Sequence, residues 1–205
     1  MSKKWLEDFK NELINENLSI SYECICRADK LDFESIELLK DTGCSLLWVG
    51  AESGSQKVLD LMNRRVEVSQ VTKIIKLAKA KGIETGTFIM LGYPGETEKE
   101  ITETIHYLKI ANPDIFTVNL AYPIKGTILF DKVKHSFLKD YDWYSSTDNE
   151  IDFKRTYKST YYKFAIRKIH NEVWQYKYYN QKKYISFVTC KFKSLLATFG
   201  MKLLK

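Results

Sequence analysis

Gly50-Ala51-Glu52-Ser53-Gly54-Ser55 and, further along, Phe88-Ile89-Met90-Leu91-Gly92-Tyr93-Pro94-Gly95-Glu96-Thr97 each close a short apolar run and open a helical pattern. Strand-to-helix turns of this kind sit at the carboxyl ends of strands, where parallel sheets and barrels keep their chemistry. Upstream of the first string, Leu46-Leu47-Trp48-Val49 reads as a short buried strand. Before it, Asp32 is placed to cap a helix carrying Phe33, Ile36 and Leu39, which Gly43 ends. Ile20 to Cys26 alternates as a strand does, and Trp5, Phe9 and Leu13 mark one face of a helix over residues 2 to 16 behind Ser2.

Downstream, Ser55 starts a helical stretch in which Val71, Ile74, Ile75 and Ala78 keep the spacing up to Gly82. Ile83 to Leu91 is the third strand. Thr97-Glu98-Lys99-Glu100 is a capping box, since the hydroxyl reaches the third amide while the carboxylate reaches back. Its helix buries Ile101, Ile105 and Leu108 until Pro113 stops it, and Ile115 to Leu120 is the fourth strand. Strands starting near 20, 46, 84 and 115 with a helix in every gap predict consecutive βα units and a parallel sheet. Periodicity alone leaves a doubly wound sheet open beside a barrel.

The 205 residues suffice for one core and an appendage, and 44% hydrophobic residues is ordinary for a globular protein. No run approaches the length of a membrane span, and the charged N-terminus has no signal-peptide core. Four irregularly spaced cysteines make no disulfide framework, so the expected setting is cytoplasmic. The net charge of +6 is unevenly spread: residues 151–205 hold thirteen Lys and Arg against Asp152 and Glu172, while the first 150 are net acidic. Seven of the 13 tyrosines fall in the same stretch, which places a domain boundary near residue 140, giving units 1–140 and 141–205.

Glu52 lies between two glycines, where backbone can approach a ligand and the carboxylate can accept from hydroxyls or an ammonium group. Ser53 and Ser55 add short donors at a helix start. A capped turn with a solvated acid is the plainer alternative. Gly92 to Glu96 is a turn of residues with fixed backbone preferences.

Taken in order, these strings resemble the radical S-adenosylmethionine (SAM) core, most closely the subgroup that often carries a B12-binding domain. Gly50-Ala51-Glu52-Ser53-Gly54-Ser55 looks like the end of that core's fourth strand, Phe88 to Thr97 like the fifth strand and its turn, and Asn119-Leu120-Ala121-Tyr122-Pro123-Ile124-Lys125-Gly126-Thr127 like the sixth. The resemblance covers roughly residues 1 to 135. It implies a partial (βα)6 TIM-like barrel in which the C-terminal four βα units are present, followed by a basic, mainly helical tail. In the family, three cysteines of a Cys-x3-Cys-x2-Cys motif hold a [4Fe-4S] cluster, SAM chelates the fourth iron, and reduction yields a 5′-deoxyadenosyl radical. That motif is absent from this sequence. The expectation is a fragment or split-gene product, inactive alone, whose partner is the missing N-terminal half of the barrel or a complementing chain. Cobalamin is expected at most in a full-length protein, and the substrate, small or lipid-like, is unspecified. A stand-alone binding or scaffold module using the half barrel and basic tail is the rival reading.

Carried over by position, Glu52 and Ser53 would face the SAM ribose or amino-acid moiety, and Arg27 the carboxylate. Gly92, Pro94 and Glu96, with the backbone at Ala121 and Tyr122, would line the adenine side. Alternation puts Glu23, Ile25 and Arg27 on one strand face and Cys24 and Cys26 on the other. For Arg27, a surface ion pair with Asp29 or Asp32 is an equal alternative. Cys24, Cys26 and Cys44 match neither zinc spacing nor the cluster motif, so we read them as small buried apolar residues and expect no metal ligands in this chain. His106, His135 and His170 lack motif partners and read as structural or exposed. The tail, which alternates aromatic and basic residues, reads first as helices packed on the barrel and second as a peripheral membrane surface. Nucleic acid comes last, since the sequence carries no recognised RNA-binding module.

Overall fold

The computed structural model describes residues 2–139 and 151–205, so the boundary expected near residue 140 falls outside the described residues. The described chain runs α1 (Lys3–Asn15), β1 (Tyr22–Cys26), α2 (Phe33–Asp41), β2 (Cys44–Glu52), α3 (Gln56–Leu61), α4 (Val68–Ala80), β3 (Glu84–Leu91), α5 (Glu98–Ala111), β4 (Ile115–Leu120), α6 (Ile128–Val133), α7 (Ser159–Asn180) and α8 (Tyr184–Leu203). The strands form one parallel sheet in the order β1-β2-β3-β4. It is the expected α/β half of a barrel, and the barrel is not closed.

Local chemistry sets the helix ends. Ser2 accepts from the Trp5 amide, Asp32 from the Ser35 amide, and the capping box at Thr97 and Glu100 is complete. One long helical stretch after Ser55 is instead broken into α3 and α4, because Asn63 and Arg65 adopt left-handed backbone, with φ of 55° and 51°. β2 is longer than its apolar core suggested, running on to a register shift between Gly50 and Glu52. Such an irregularity re-aims the side chain that follows it.

The two faces of the sheet differ. Leu47, Val49, Ala51, Ile89, Leu91, Phe116 and Val118 are buried in the core beneath the helices. On the opposite face Ile25 is 70% exposed, Glu23 and Asn119 are exposed, and Trp48, Phe88 and Met90 are only partly covered. Parallel sheets ordinarily have both faces covered; this one has an apolar stripe facing outward.

The tail joins the covered side. Phe137 and Phe153 form an antiparallel bridge, with the Lys154 amide donating to Ser136 O at 2.8 Å. Tyr161, Tyr162, Ala165, Ile169 and Val173 form the buried stripe of α7, which packs on α5 and β4. Lys177, also buried, donates to the carbonyls of Pro113 and Asp114.

The loop after β2 lies hard against α5. A Cβ on Gly54 would stand 2.5 Å from Thr104 Cα and 2.5 Å from Tyr107 Cβ. Gly54→Ala therefore has to lift the loop from the helix, and we expect a loss of about 1–3 kcal/mol in urea unfolding.

Candidate functional site

The carboxyl ends of the four strands form one rim. Arg27 follows β1, Glu52 ends β2, Gly92 follows β3 and Ala121 follows β4. At one end of the rim Glu52 adopts a left-handed φ of 63°. Its Oε1 accepts from an Arg64 guanidinium nitrogen at 2.9 Å. Burial raises the Glu52 carboxyl above its ordinary range, and the Arg64 charge opposes that rise. Arg27 is exposed and pairs with Asp29 at 2.8 Å, while also donating to Arg64 O at 3.3 Å. Of the two sequence readings of Arg27, the structure shows the surface ion pair with Asp29, and it also places the side chain on the residue that holds Glu52. The buried Nε of Arg64 has no hydrogen-bond partner among the described residues. A carboxylate paired with the Arg64 guanidinium, with the Arg27 side chain resting on the Arg64 carbonyl, suits a ligand that carries both an ammonium or hydroxyl and a carboxylate.

Ser53 is placed differently from the sequence expectation. It is 1% exposed, its hydroxyl shares a 3.2 Å hydrogen bond with Thr104 and accepts from the Ser55 amide at 3.1 Å. Consecutive residues of an extended chain point to opposite sides, and with Ala51 and Ser53 both buried Glu52 takes the rim while Ser53 braces the loop on α5.

The Gly92 to Glu96 turn is likewise braced from inside. Gly92 has φ of 77°, and its amide donates to Glu96 Oε2 at 2.5 Å. Glu96 is 0% exposed, so its side chain does not line the rim as expected but fills the turn beneath it. Burial pushes its carboxyl up to about 8, against the Gly92 amide and with help from the nearby Glu100. Pro94 is half-buried, and Tyr93 donates to Leu61 O at 3.2 Å, tying the turn to α3.

At the other end, the Ala121 amide donates to Leu91 O at 2.7 Å, prolonging the β3–β4 ladder into the rim. Ala121 O accepts from Arg155 at 2.6 Å. Tyr122 is half-buried beside it. Arg155 also pairs with Asp152, lies over the Phe153 ring at 4.3 Å, and presses on Gly92, where a Cβ would meet its Cδ at 2.6 Å. The tail therefore clamps the β3 and β4 loops together. Sequence reading missed Arg155 and Arg64, because neither stands in a motif. Arg155 gave one local cue, the i,i+3 pairing with Asp152; its meeting with Gly92 is entirely tertiary. Beside the rim, Trp48 and Phe88 stack on the open sheet face with ring centres 4.6 Å apart.

A family model described as the radical SAM superfamily matches residues 3–108. The chain belongs to the radical SAM superfamily. It is 27% identical over 158 residues to an uncharacterized methyltransferase of Pyrococcus horikoshii, across 75% of this chain and 34% of that protein. A putative methylthiotransferase of Methanocaldococcus jannaschii is 32% identical over 128 residues, 62% of this chain and 28% of that protein. The chain thus spans about a third or less of the length of these relatives. Among solved structures, the cobalamin-dependent SAM radical enzyme OxsB with aqua-cobalamin bound aligns over 95% of this chain and 37% of its own, with TM-score 0.63 and 13% identity. The radical SAM methyltransferase TsrM of Kitasatospora setae, with cobalamin and a [4Fe-4S] cluster bound, aligns over 65% of this chain and 27% of its own, with TM-score 0.57 and 16% identity. At such identities the likeness shows the fold.

The superfamily implies SAM and a [4Fe-4S] cluster, and the thiols of this radical SAM chain do not fit the cluster. Cys24 and Cys26 face the helices rather than the rim, and Cys24 Sγ lies 3.7 Å from Cys44 Sγ. Contact with Cys24 and burial hold the Cys26 thiol above its usual range, the opposite of what a thiolate ligand needs. Among the described residues no cluster of His, Cys, Asp or Glu is arranged to hold a metal ion.

The buried Glu96 has a consequence for stability. Its folded carboxyl titrates near 8, against an ordinary value of 4.5, so its contribution is full below the ordinary value and is lost as pH rises through about 8. Each unit of such a shift is worth about 1.4 kcal/mol, so Glu96→Gln, which cannot ionise, should gain on the order of 4 kcal/mol relative to wild type between pH 5 and pH 9. Urea unfolding of both proteins at the two pH values checks this; parallel pH profiles would remove the buried charge from the account.

Proposed function

We propose that this chain supplies the SAM-recognising rim of a radical SAM enzyme of the methyl- or methylthio-transferring kind, and meets the cluster-bearing strands as another segment or chain. The observation that carries this reading is the rim itself: Glu52 with Arg64 and Arg27 at one end, and the braced Gly92 turn with Ala121 at the other, beside an uncovered sheet face. In this reading Glu52 binds the ribose hydroxyls or amino group, Arg27 and Arg64 bind the carboxylate, and the backbone from Gly92 to Pro94 and at Ala121 and Tyr122 holds the adenine. Glu96, Ser53 and Arg155 act as positioning residues that fix those loops. The reaction class is supported by relatives named as a methyltransferase and a methylthiotransferase. Two structural neighbours contain cobalamin, which supports a cobalamin-binding segment in the full-length protein. Because the thiols present do not fit a cluster, no chemical step is assigned to this chain alone, and we expect it to be inactive by itself. The composition boundary near residue 140 belongs to the same proposal, with 1–140 as the SAM-core part and 141–205 as its extension.

Two measurements test the reading. Anaerobic iron-sulfide reconstitution of the chain alone should leave it without a cluster, whereas a complex with a half barrel bearing Cys-x3-Cys-x2-Cys should hold about four irons. In that complex Glu52→Ala should weaken SAM binding by about 1–3 kcal/mol in calorimetry, while the exposed control Glu67→Ala should leave it unchanged. Four irons on the isolated chain that disappear on Cys24→Ser would overturn the proposal. Equal SAM affinity in the two glutamate variants would remove Glu52 from the site and favour the scaffold reading.

A further inference from the structure

Helix α8 packs with one side and is bare on the other. Its inward side carries Ser194, Ala197, Gly200 and Met201, all buried, and its partner is chiefly α7. The last turn reaches the body, where Lys205 pairs with Glu98 at 2.8 Å. The outward side carries Ile185, Val188, Phe192, Leu195, Phe199 and Leu203, at exposures of 87%, 61%, 61%, 61%, 62% and 69%. Steps of three and four residues put these six on one continuous helix stripe. At 100° per residue, Lys191 and Lys202 fall along one border of that stripe, and both are exposed. Packing and membrane contact, which are rivals when the tail is read as sequence, are thus assigned to opposite sides of the same helix.

Charge decides what the bare side fits. From Val173 to Lys205 the chain holds seven lysines and no acidic residue. A second copy of α8 would bring lysine borders against lysine borders with no carboxylate to answer them, which is unfavourable for a helix pair. An anionic bilayer answers both features, since the apolar stripe enters the acyl boundary while flanking lysines extend their ammonium groups to the headgroups. Among the described residues no helix is long and apolar enough to cross a membrane, so α8 would lie in the interface plane. We propose that the outward face of α8 is a docking surface for anionic lipid, holding the strand-end rim close to a bilayer. This goes beyond the SAM reading and is independent of it.

The test uses the whole chain and sedimentation with vesicles of phosphatidylglycerol and phosphatidylcholine. Binding is expected to anionic vesicles, to weaken as salt shortens the screening length from about 8 Å to about 3 Å, and to be much weaker on pure phosphatidylcholine. Phe192→Glu and Leu195→Glu should each reduce partitioning about tenfold or more, because each side chain otherwise leaves water on binding. Lys191→Gln combined with Lys202→Gln leaves the apolar stripe intact and should weaken the preference for anionic vesicles severalfold; this pair also serves if a glutamate variant loses its helical circular dichroism. Absence of vesicle binding, or binding that none of these changes affects, would overturn the proposal. So would a concentration-dependent dimer in analytical ultracentrifugation that Phe192→Glu dissolves while vesicles go unbound, which would assign the face to a second copy.

Discussion

A parallel sheet turns alternate side chains to opposite faces, and its βα crossovers cover whichever face the helices lie on. Here the crossover helices and α7 bury one face of the central strands, from Leu47 and Val49 through Ile89 and Leu91 to Phe116 and Val118. The other face keeps Ile25, Trp48, Phe88 and Met90 wholly or partly in water. This one-sidedness governs the rest of the molecule. β1, at one end of the sheet order, leaves one side of its backbone unpaired within that sheet. The rim, likewise, is a row of loops standing along one open edge. A ligand held there would be gripped by this chain from one side only.

What the chain does supply at the rim is rigidity. Four contacts brace the rim: Ser53 on Thr104, Gly54 against α5, Glu96 under Gly92, and Arg155 between Gly92 and Ala121. Each fixes backbone, leaving Glu52, Arg64 and Arg27 as the charged groups presented outward. Backbone amides and carbonyls held in place by buried partners cost little reorganisation on binding, which is why such sites are built on strand ends rather than on free loops. The Glu96 carboxyl shows how this is achieved. A group that would be solvated anywhere else is kept inside a turn, where its affinity for the Gly92 amide offsets part of the cost of burial.

The tail connects to this arrangement at two levels. Its first segment pairs with residues 136–138 and delivers Arg155 to the rim. Its helices then close the covered side, with α7 on the body and α8 on α7. A basic, aromatic-rich stretch is therefore part structural clamp and part exposed surface. Composition alone cannot separate the two roles, because they alternate along one helix with the helical period.

The order of strands and helices was legible in the sequence because it is a local matter: capping residues such as Ser2, Asp32 and Thr97 and the spacing of apolar residues act within a few positions. The membership of a strand-end rim was legible for the same reason, since Gly50 to Ser55 and Gly92 to Glu96 advertise turns through residues with special backbone freedom. Direction was not. Whether Glu52 or Ser53 faces outward depends on which of them packs against α5, and whether Glu96 points into solvent or beneath its own turn depends on what is packed there. Arg64 and Arg155 reach Glu52 and Gly92 across separations that no periodicity records. Sequence by itself determined the elements, the parallel βα succession and the absence of a cluster motif. Tertiary structure decided which polar groups are braces and which are presented, because burial is a property of neighbours that only the folded chain brings together.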